Sequence, residues 1–402
     1  MTHRLLRIAA VAAAAVLPIA SAHAEQTLLE RGEYLVRAGD CFGCHTDGVG
    51  GAPLSGGLRV DTPFGYMLTP NITPDPATGI GNWSSDDFYR AMHHGVNKKG
   101  EDMYPTMPFD FYTKVTRADV DAMYAWLRTV KPVQRKIEVN HLHFPFDLRW
   151  SMAGWRELYF REGTFKPDPS RSAAWNRGAY LVEGLGHCSD CHSPRNLLGG
   201  IEQSKDFSGA VVDGWFALNL TSDIAKGLGS WSVDDIATYL KTGAAKQKTT
   251  TLGPMALVIK DSLSYLSDDD LKAMGEYLKA LPPDSRMLTG RKRPDTTTAT
   301  GAQLYLANCA PCHQASGRGV PGAFPPLARN PVVLATLPND IIKVIDNGIP
   351  GRANFVAMPS FKLQFTDQQV ADIANYIRTQ WGNDASANAD SKLVAKLRAG
   401  PQ

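Results

Sequence analysis

The sequence predicts an all-α fold built as three consecutive small domains, and three observations lead there. Six cysteines fall into three copies of one motif, "CFGCH", "CSDCH" and "CAPCH", with none left over. Each copy follows a helical pattern carrying a glycine and a nearby tyrosine: "LLERGEYLVRAGD", "AAWNRGAYLVEGLGH" and "ATGAQLYLAN". Each is later followed by a second amphipathic helix that opens on Thr or Ser plus acidic residues: "TRADVDAMYAWLRTV", "SDDDLKAMGEYLKAL" and "TDQQVADIANYIRTQW".

Gly32, Gly178 and Gly301 precede their first cysteine by 9, 10 and 8 residues. Glycine inside a helix is costly, so its repetition predicts close backbone packing against another element. The first two copies match further, "NITPDPATGIGNWSSDDFYRAM" against "NLTSDIAKGLGSWSVDDIATYL", and Asn71 to Trp83 and Asn219 to Trp231 both span 12 residues. Ser84 and Ser232 read as helix N-caps. Short β-like stretches are expected near "GLRVDTPFGYMLT" and "AVVDGWFALNLT". The boundaries are a leader, 1–24; domain 1, 25–131; a connecting segment, 132–172; domain 2, 173–281; a linker, 282–298; domain 3, 299–383; and a polar C-terminal tail, 384–402.

The leader has Arg4 and Arg7, an apolar run from Ile8 to Ala20, and Ala22-His23-Ala24 before Glu25. This is the pattern of a cleaved secretory signal, with an apolar part too short for a membrane span. Its removal leaves 40 basic against 40 acidic residues, a near-neutral chain that gives no reason to expect nucleic acid.

In a secreted chain six cysteines would ordinarily suggest disulfides. Here each pair stands three residues apart with a histidine directly after. On a helix, positions i, i+3 and i+4 share one face. Cys41, Cys44 and His45 therefore project together, as do Cys188, Cys191 and His192, and Cys309, Cys312 and His313. Two thiols can add to the vinyl groups of one haem while the imidazole reaches its iron. A thioredoxin-like pair would need a βαβ setting, and a zinc site would need two such segments brought together. Neither pattern is visible. The reading is three covalently bound haem c groups, in three cytochrome c-like domains that each wrap one of them.

A methionine commonly fills the sixth iron position in electron-transfer haems. The candidates are Met103 or Met107 in the first domain, Met255 in the second and Met358 in the third. Cys188 to Met255 is 67 residues, Cys41 to Met107 is 66 and Cys41 to Met103 is 62, so Met107 is the better match. Cys309 to Met358 is 49 residues. Met123 and Met274 read as core residues. His93 and His94 are read as partners of a haem propionate or of solvent. His187 is expected to point away from the face that carries His192.

The stretches "RGEYLVRAGDCFGCHT", "NITPDPATGIGNW", "YPTMPF", "WNRGAYLVEGLGHCSDCHSPR", "GPM" and "NYIRTQWGN" together resemble the three-haem cytochrome c subunit of bacterial membrane-associated dehydrogenases, over about Leu28 to Asn383. That family serves quinoprotein alcohol dehydrogenases and flavin-dependent gluconate, sorbitol and glucose dehydrogenases. The resemblance implies a periplasmic subunit, peripheral on the outer face of the inner membrane. It would carry electrons from a quinoprotein or flavoprotein catalytic subunit through three haems to ubiquinone or a terminal oxidase. It assigns no catalytic residue to this chain. The alternatives are a peroxidase-like haem enzyme with one open iron position, and a free-standing electron shuttle.

Overall fold

The computed structural model describes residues 27–48, 50–245, 248–284, 299–351 and 355–400. The signal segment 1–24 and most of the linker 282–298 lie outside them. Among the described residues the chain is helix-rich, and three small antiparallel sheets interrupt the all-α expectation.

The first group of helices is α1 (Leu28–Ala38), α2 (Cys41–His45), α3 (Ser85–His94), α4 (Phe109–Tyr112) and α5 (Arg117–Leu127). The second is α7 (Ala173–Tyr180, continued by a π turn at Leu181–Leu185), α8 (Ser189–His192), α9 (Val233–Thr242), α10 (Met255–Asp261) and α11 (Asp268–Ala280). The third is α12 (Ala299–Asn308), α13 (Ala310–His313), α14 (Pro331–Leu334), α15 (Asn339–Asn347), α16 (Asp367–Thr379) and α17 (Ser391–Ala399). In each group the helix before the cysteine motif packs on the later amphipathic helix: α1 on α5, α7 on α11, and α12 on α16.

The recurring glycine is what permits this packing. A Cβ on Gly32 would overlap the carbonyl oxygen of Ala122, and one on Gly178 that of Ala273. At Gly301 it would come to 2.5 Å from the carbonyl oxygen of Asp372. The expected N-caps form: Ser84 and Ser232 accept from the backbone N–H of Asp87 and Asp235, whose carboxylates return the bond in capping boxes.

The first two groups are clasped reciprocally by their "RGEY" and "RGAY" repeats. Arg31 pairs with Asp119 on its own closing helix (2.8 Å), and Tyr180 from the second group donates to the same carboxylate (2.5 Å). In mirror fashion Arg177 pairs with Asp270 (2.8 and 2.7 Å), and Tyr34 from the first group donates to it (2.5 Å). The third group has Thr300 where the other two have arginine, so it has no such clasp to offer. One apolar core accordingly runs through the first two groups, and a separate one through the third.

Burial would raise the Asp270 carboxyl, but the Arg177 and Tyr34 hydrogen bonds outweigh it and hold the group below its ordinary range. A lowered carboxylate pKa contributes stability that is present above about pH 4 and is lost as pH falls through the folded value. Asp270→Asn is therefore expected to flatten the acid limb of a stability-versus-pH curve below about pH 4. Chemical denaturation at stepped pH checks this.

The connecting segment forms β3 (Asn140–Leu142) and α6 (Ser151–Tyr159). β3 extends the β1–β2 hairpin (Arg59–Thr62, Gly65–Leu68), and Met152, Trp155 and Phe160 pack with Met67, Tyr104 and Phe109. The β4–β5 hairpin (Ala210–Val212, Trp215–Ala217) docks on α15: Phe216 N–H donates to Asp340 (2.7 Å), Asn339 to the Gly214 carbonyl (3.0 Å) and Lys343 to that of Asp213 (2.9 Å). A two-residue pair, β6–β7 (Ala244–Ala245, Thr249–Thr250), completes the sheets.

The C-terminal tail is integral to the third group. Val394 of α17 is fully buried, and Arg398 forks onto Asp346 (3.0 and 2.8 Å). Arg378, fully buried on α16, donates to the carbonyls of Ser386 (2.9 Å), Val333 (3.0 Å) and Ala335 (2.9 Å). The boundary at residue 383 follows the tail's polar composition, and these side-chain-to-carbonyl ties leave no trace in hydropathy. Arg378→Met strands three carbonyls and is expected to cost about 2 kcal/mol, because loss of the buried charge offsets part of the lost hydrogen bonding. Urea titration of the purified protein checks it.

Candidate haem-binding sites

All six motif cysteines are unpaired. Burial pushes the thiols of Cys41, Cys188 and Cys191 up to about 12 and that of Cys309 up to about 11, and it raises Cys44 as well. A redox dithiol works through an exposed, low-pKa thiolate. These neutral thiols, raised rather than lowered, are the opposite case.

The three histidines are held alike. His45 Nδ1 lies 2.8 Å from the Pro70 carbonyl oxygen, His192 Nδ1 2.6 Å from that of Leu218, and His313 Nδ1 3.1 Å from that of Pro325. A carbonyl can only accept, so Nδ1 carries the proton and Nε2 is left as a free donor atom for a metal. Burial lowers all three imidazoles below their ordinary pKa, which favours the neutral form that binds iron. Each histidine's own carbonyl accepts from a glycine N–H: Gly56 (2.7 Å), Gly209 (2.8 Å) and Gly319 (3.0 Å). All three glycines have positive φ.

Motif spacing does not reveal these anchors, although the sequence carries a signal for them. Pro70 and Leu218 stand directly before Asn71 and Asn219, the asparagines of the long repeat. Asn71 accepts from Thr73 N–H (2.9 Å) and donates to the Val133 carbonyl (2.7 Å). Asn219 accepts from Thr221 N–H (2.7 Å) and donates to the Asp284 carbonyl (3.2 Å). The repeated asparagine thus fixes the turn that presents the histidine's acceptor.

In the middle group a largely apolar cavity brings Cys188, Cys191, His192 and Met255 around one space, with Trp231 and Leu240 among its walls. Pro331, Val332 and Asp340 of the third group close part of it. The donor set and the apolar lining fit a haem. Cys188 and Cys191 would carry it, and His192 and Met255 would hold its iron.

Equivalent loops deliver the first two methionines. Helices α3 and α9 both end at a left-handed glycine, Gly95 and Gly243. The Gly95 carbonyl then accepts from Met103 N–H (2.8 Å) and the Gly243 carbonyl from Thr251 N–H (2.7 Å). Met103 therefore corresponds to Thr251, and Met107, four residues on, corresponds to Met255. Side-chain packing agrees. Met107 packs on the core that contains Cys41, whereas Met103 packs with Tyr104 and Phe109 toward the connecting segment. Met358 exchanges both backbone hydrogen bonds with Ile349 (2.9 and 2.8 Å) and is half-buried.

Met67, Met92, Met123 and Met274 are all buried core residues. His187 borders the middle cavity, its Nδ1 sits 2.8 Å from the Leu185 carbonyl and its ring meets Tyr112 of the first group. Its positive φ of 35° breaks the helix just before Cys188. His94 faces Glu162 of the connecting segment at 2.9 Å, a partner that sequence separation hides.

Among the described residues no helix is long and apolar enough to cross a membrane. The cytochrome c family model matches residues 29–131 and 298–381, the stretches holding the first and third motifs. The chain is 38% identical to the gluconate 2-dehydrogenase cytochrome c subunit of Pantoea cypripedii, covering 94% of this chain and 91% of that protein. It is 38% identical to the cytochrome c subunit of the quinone alcohol dehydrogenase of Gluconobacter oxydans, covering 98% and 87%. It is also 39% identical to one subunit of the nicotinate dehydrogenase of Pseudomonas putida over 93% of its length, while spanning about a third (32%) of that longer protein. By its motifs, its oriented histidines and these relatives, the chain belongs to the family of c-type cytochrome subunits of dehydrogenase complexes.

Proposed function

We propose that this chain is the electron-transfer subunit of a membrane-associated dehydrogenase. It takes electrons from a quinoprotein or flavoprotein catalytic subunit and delivers them to ubiquinone or another respiratory acceptor. Its place is the periplasm, peripheral on the inner membrane, after removal of residues 1–24. It carries three cytochrome c-like domains, with the tail from 384 packed on the third. Three haem c groups are attached through Cys41 and Cys44, Cys188 and Cys191, and Cys309 and Cys312. His45, His192 and His313 are the proximal ligands, and Met107, Met255 and Met358 the sixth ligands.

One observation carries the reading. The middle cavity holds Cys188, Cys191, His192 and Met255 around a single apolar space, which supports a haem whose iron would be held by the protein's own side chains, with no place kept for substrate. When bound, haem c supplies a one-electron carrier whose potential methionine raises. The polypeptide's part is to orient each imidazole through a backbone carbonyl, to exclude water and to bring the sites together. Helix α2, which carries Cys41 and Cys44, packs on α10, which begins at Met255, and the third group closes part of the second cavity. These contacts support a continuous route through the three domains.

The test is isolation of the native complex from gently solubilised membranes through this chain. A large dehydrogenase subunit should co-purify, and its substrate should reduce all of the haem without an added mediator. Isolation of the chain alone, with no dehydrogenase activity attached, would count against the proposal.

A further inference from the structure

Outside the haem motifs, the C-terminal end of α3 meets the chain leaving α6. His93 and His94 are the last two residues of α3, and Glu162 comes from the segment just after Phe160. His94 Nδ1 is 2.9 Å from one Glu162 oxygen, and His93 Nε2 is 3.9 Å from the other. One ligand atom from each of the three residues lies within 4.8 Å of the other two. The two imidazoles meet edge to face at 4.9 Å, and Tyr89 stacks on His93 at 4.8 Å.

A simple ion pair does not account for this cluster. Glu162 needs one histidine, and His94 already satisfies it. His93 is nevertheless buried, at 5% exposure, with its Nδ1 lacking a hydrogen-bond partner. The atom that faces Glu162 is His93 Nε2, and at 3.9 Å it stands beyond hydrogen-bond reach, which leaves room for a bridging ion.

We propose that His93, His94 and Glu162 form a divalent-cation site of the zinc class, separate from the haem sites. Two imidazole nitrogens and one carboxylate are a donor set that zinc accepts, with bonds of about 2.0–2.1 Å and a fourth position left for water. Tetrahedral bonds of that length put neighbouring ligand atoms about 3.3 Å apart, and the 2.9 and 3.9 Å separations bracket this value. The negative end of the α3 dipole faces the cation as well. The bound ion would staple α3, whose capping glycine starts the Met107 loop, to the connecting segment.

The experiment uses the untagged haem-loaded protein, stripped with a chelator and titrated with zinc by calorimetry, with zinc and iron counted by elemental analysis. The expected result is one saturable zinc per chain, with zinc-edge absorption reading nitrogen and oxygen ligands at about 2.0–2.1 Å. Glu162→Gln and His94→Gln, both at partly exposed positions, should each weaken binding by about tenfold or more, while haem spectrum and thermal midpoint without zinc stay as in the wild type. Absence of a saturable site in the wild type would overturn the proposal. So would undiminished zinc affinity in both variants, which would place the ion on other surface histidines.

Discussion

Met107→Ala is expected to turn about one third of the haem high-spin in the purified subunit, with carbon monoxide binding to that fraction after reduction. Met103→Ala should leave the spectrum as in the wild type. The two residues are four apart in one loop, yet the fold separates them. Met103 N–H is spent on the Gly95 carbonyl, and its side chain packs toward the connecting segment. Met107 packs on the core that holds Cys41. On the proposed ligation, loss of the sulfur would open an iron position and lower the potential of that haem. Resonance Raman or electron paramagnetic spectra, read beside carbon monoxide difference spectra, check the pair. A reversed result would move the sixth ligand to Met103. Carbon monoxide binding already present in the wild type would favour a haem enzyme.

Gly178→Val should be the most damaging single change away from the ligands. Its Cβ would overlap the Ala273 carbonyl and come to 2.9 Å from the Tyr277 Cβ, so α7 and α11 must move apart. That separation disturbs the core shared by the first two groups of helices, and the expected cost is about 3 kcal/mol or more. Gly184→Ala is the control. It lies six residues on, and its nearest neighbours would be 3.6 and 3.8 Å from the added Cβ, an ordinary contact. Guanidinium unfolding followed by far-ultraviolet dichroism should show a large drop in midpoint for Gly178→Val and almost none for Gly184→Ala.

Much of the site can be read from residue types alone, because covalent attachment demands cysteines at a set spacing with the histidine adjacent. The recurrent glycines are readable for a similar reason, since only close backbone approach justifies their cost inside helices. The hairpins at Arg59–Leu68 and Ala210–Ala217 form where the patterning is β-like. What cannot be read is long-range and polar. The crossed use of Tyr34 and Tyr180 links residues 236 and 61 positions away. The anchoring of the tail by Arg378 depends on backbone carbonyls, which any residue offers. The histidine acceptors at Pro70, Leu218 and Pro325 are likewise main-chain atoms, so their side chains advertise nothing.

The intact mass of the purified, haem-loaded polypeptide under denaturing conditions tests the central claim most directly, since thioether-bound haem survives unfolding whereas a non-covalent cofactor is lost. A chain beginning at Glu25 and heavier than its amino acids by three haems is the predicted result. A mass corresponding to two haems or fewer, with one cysteine pair free to react with an alkylating agent, would contradict it.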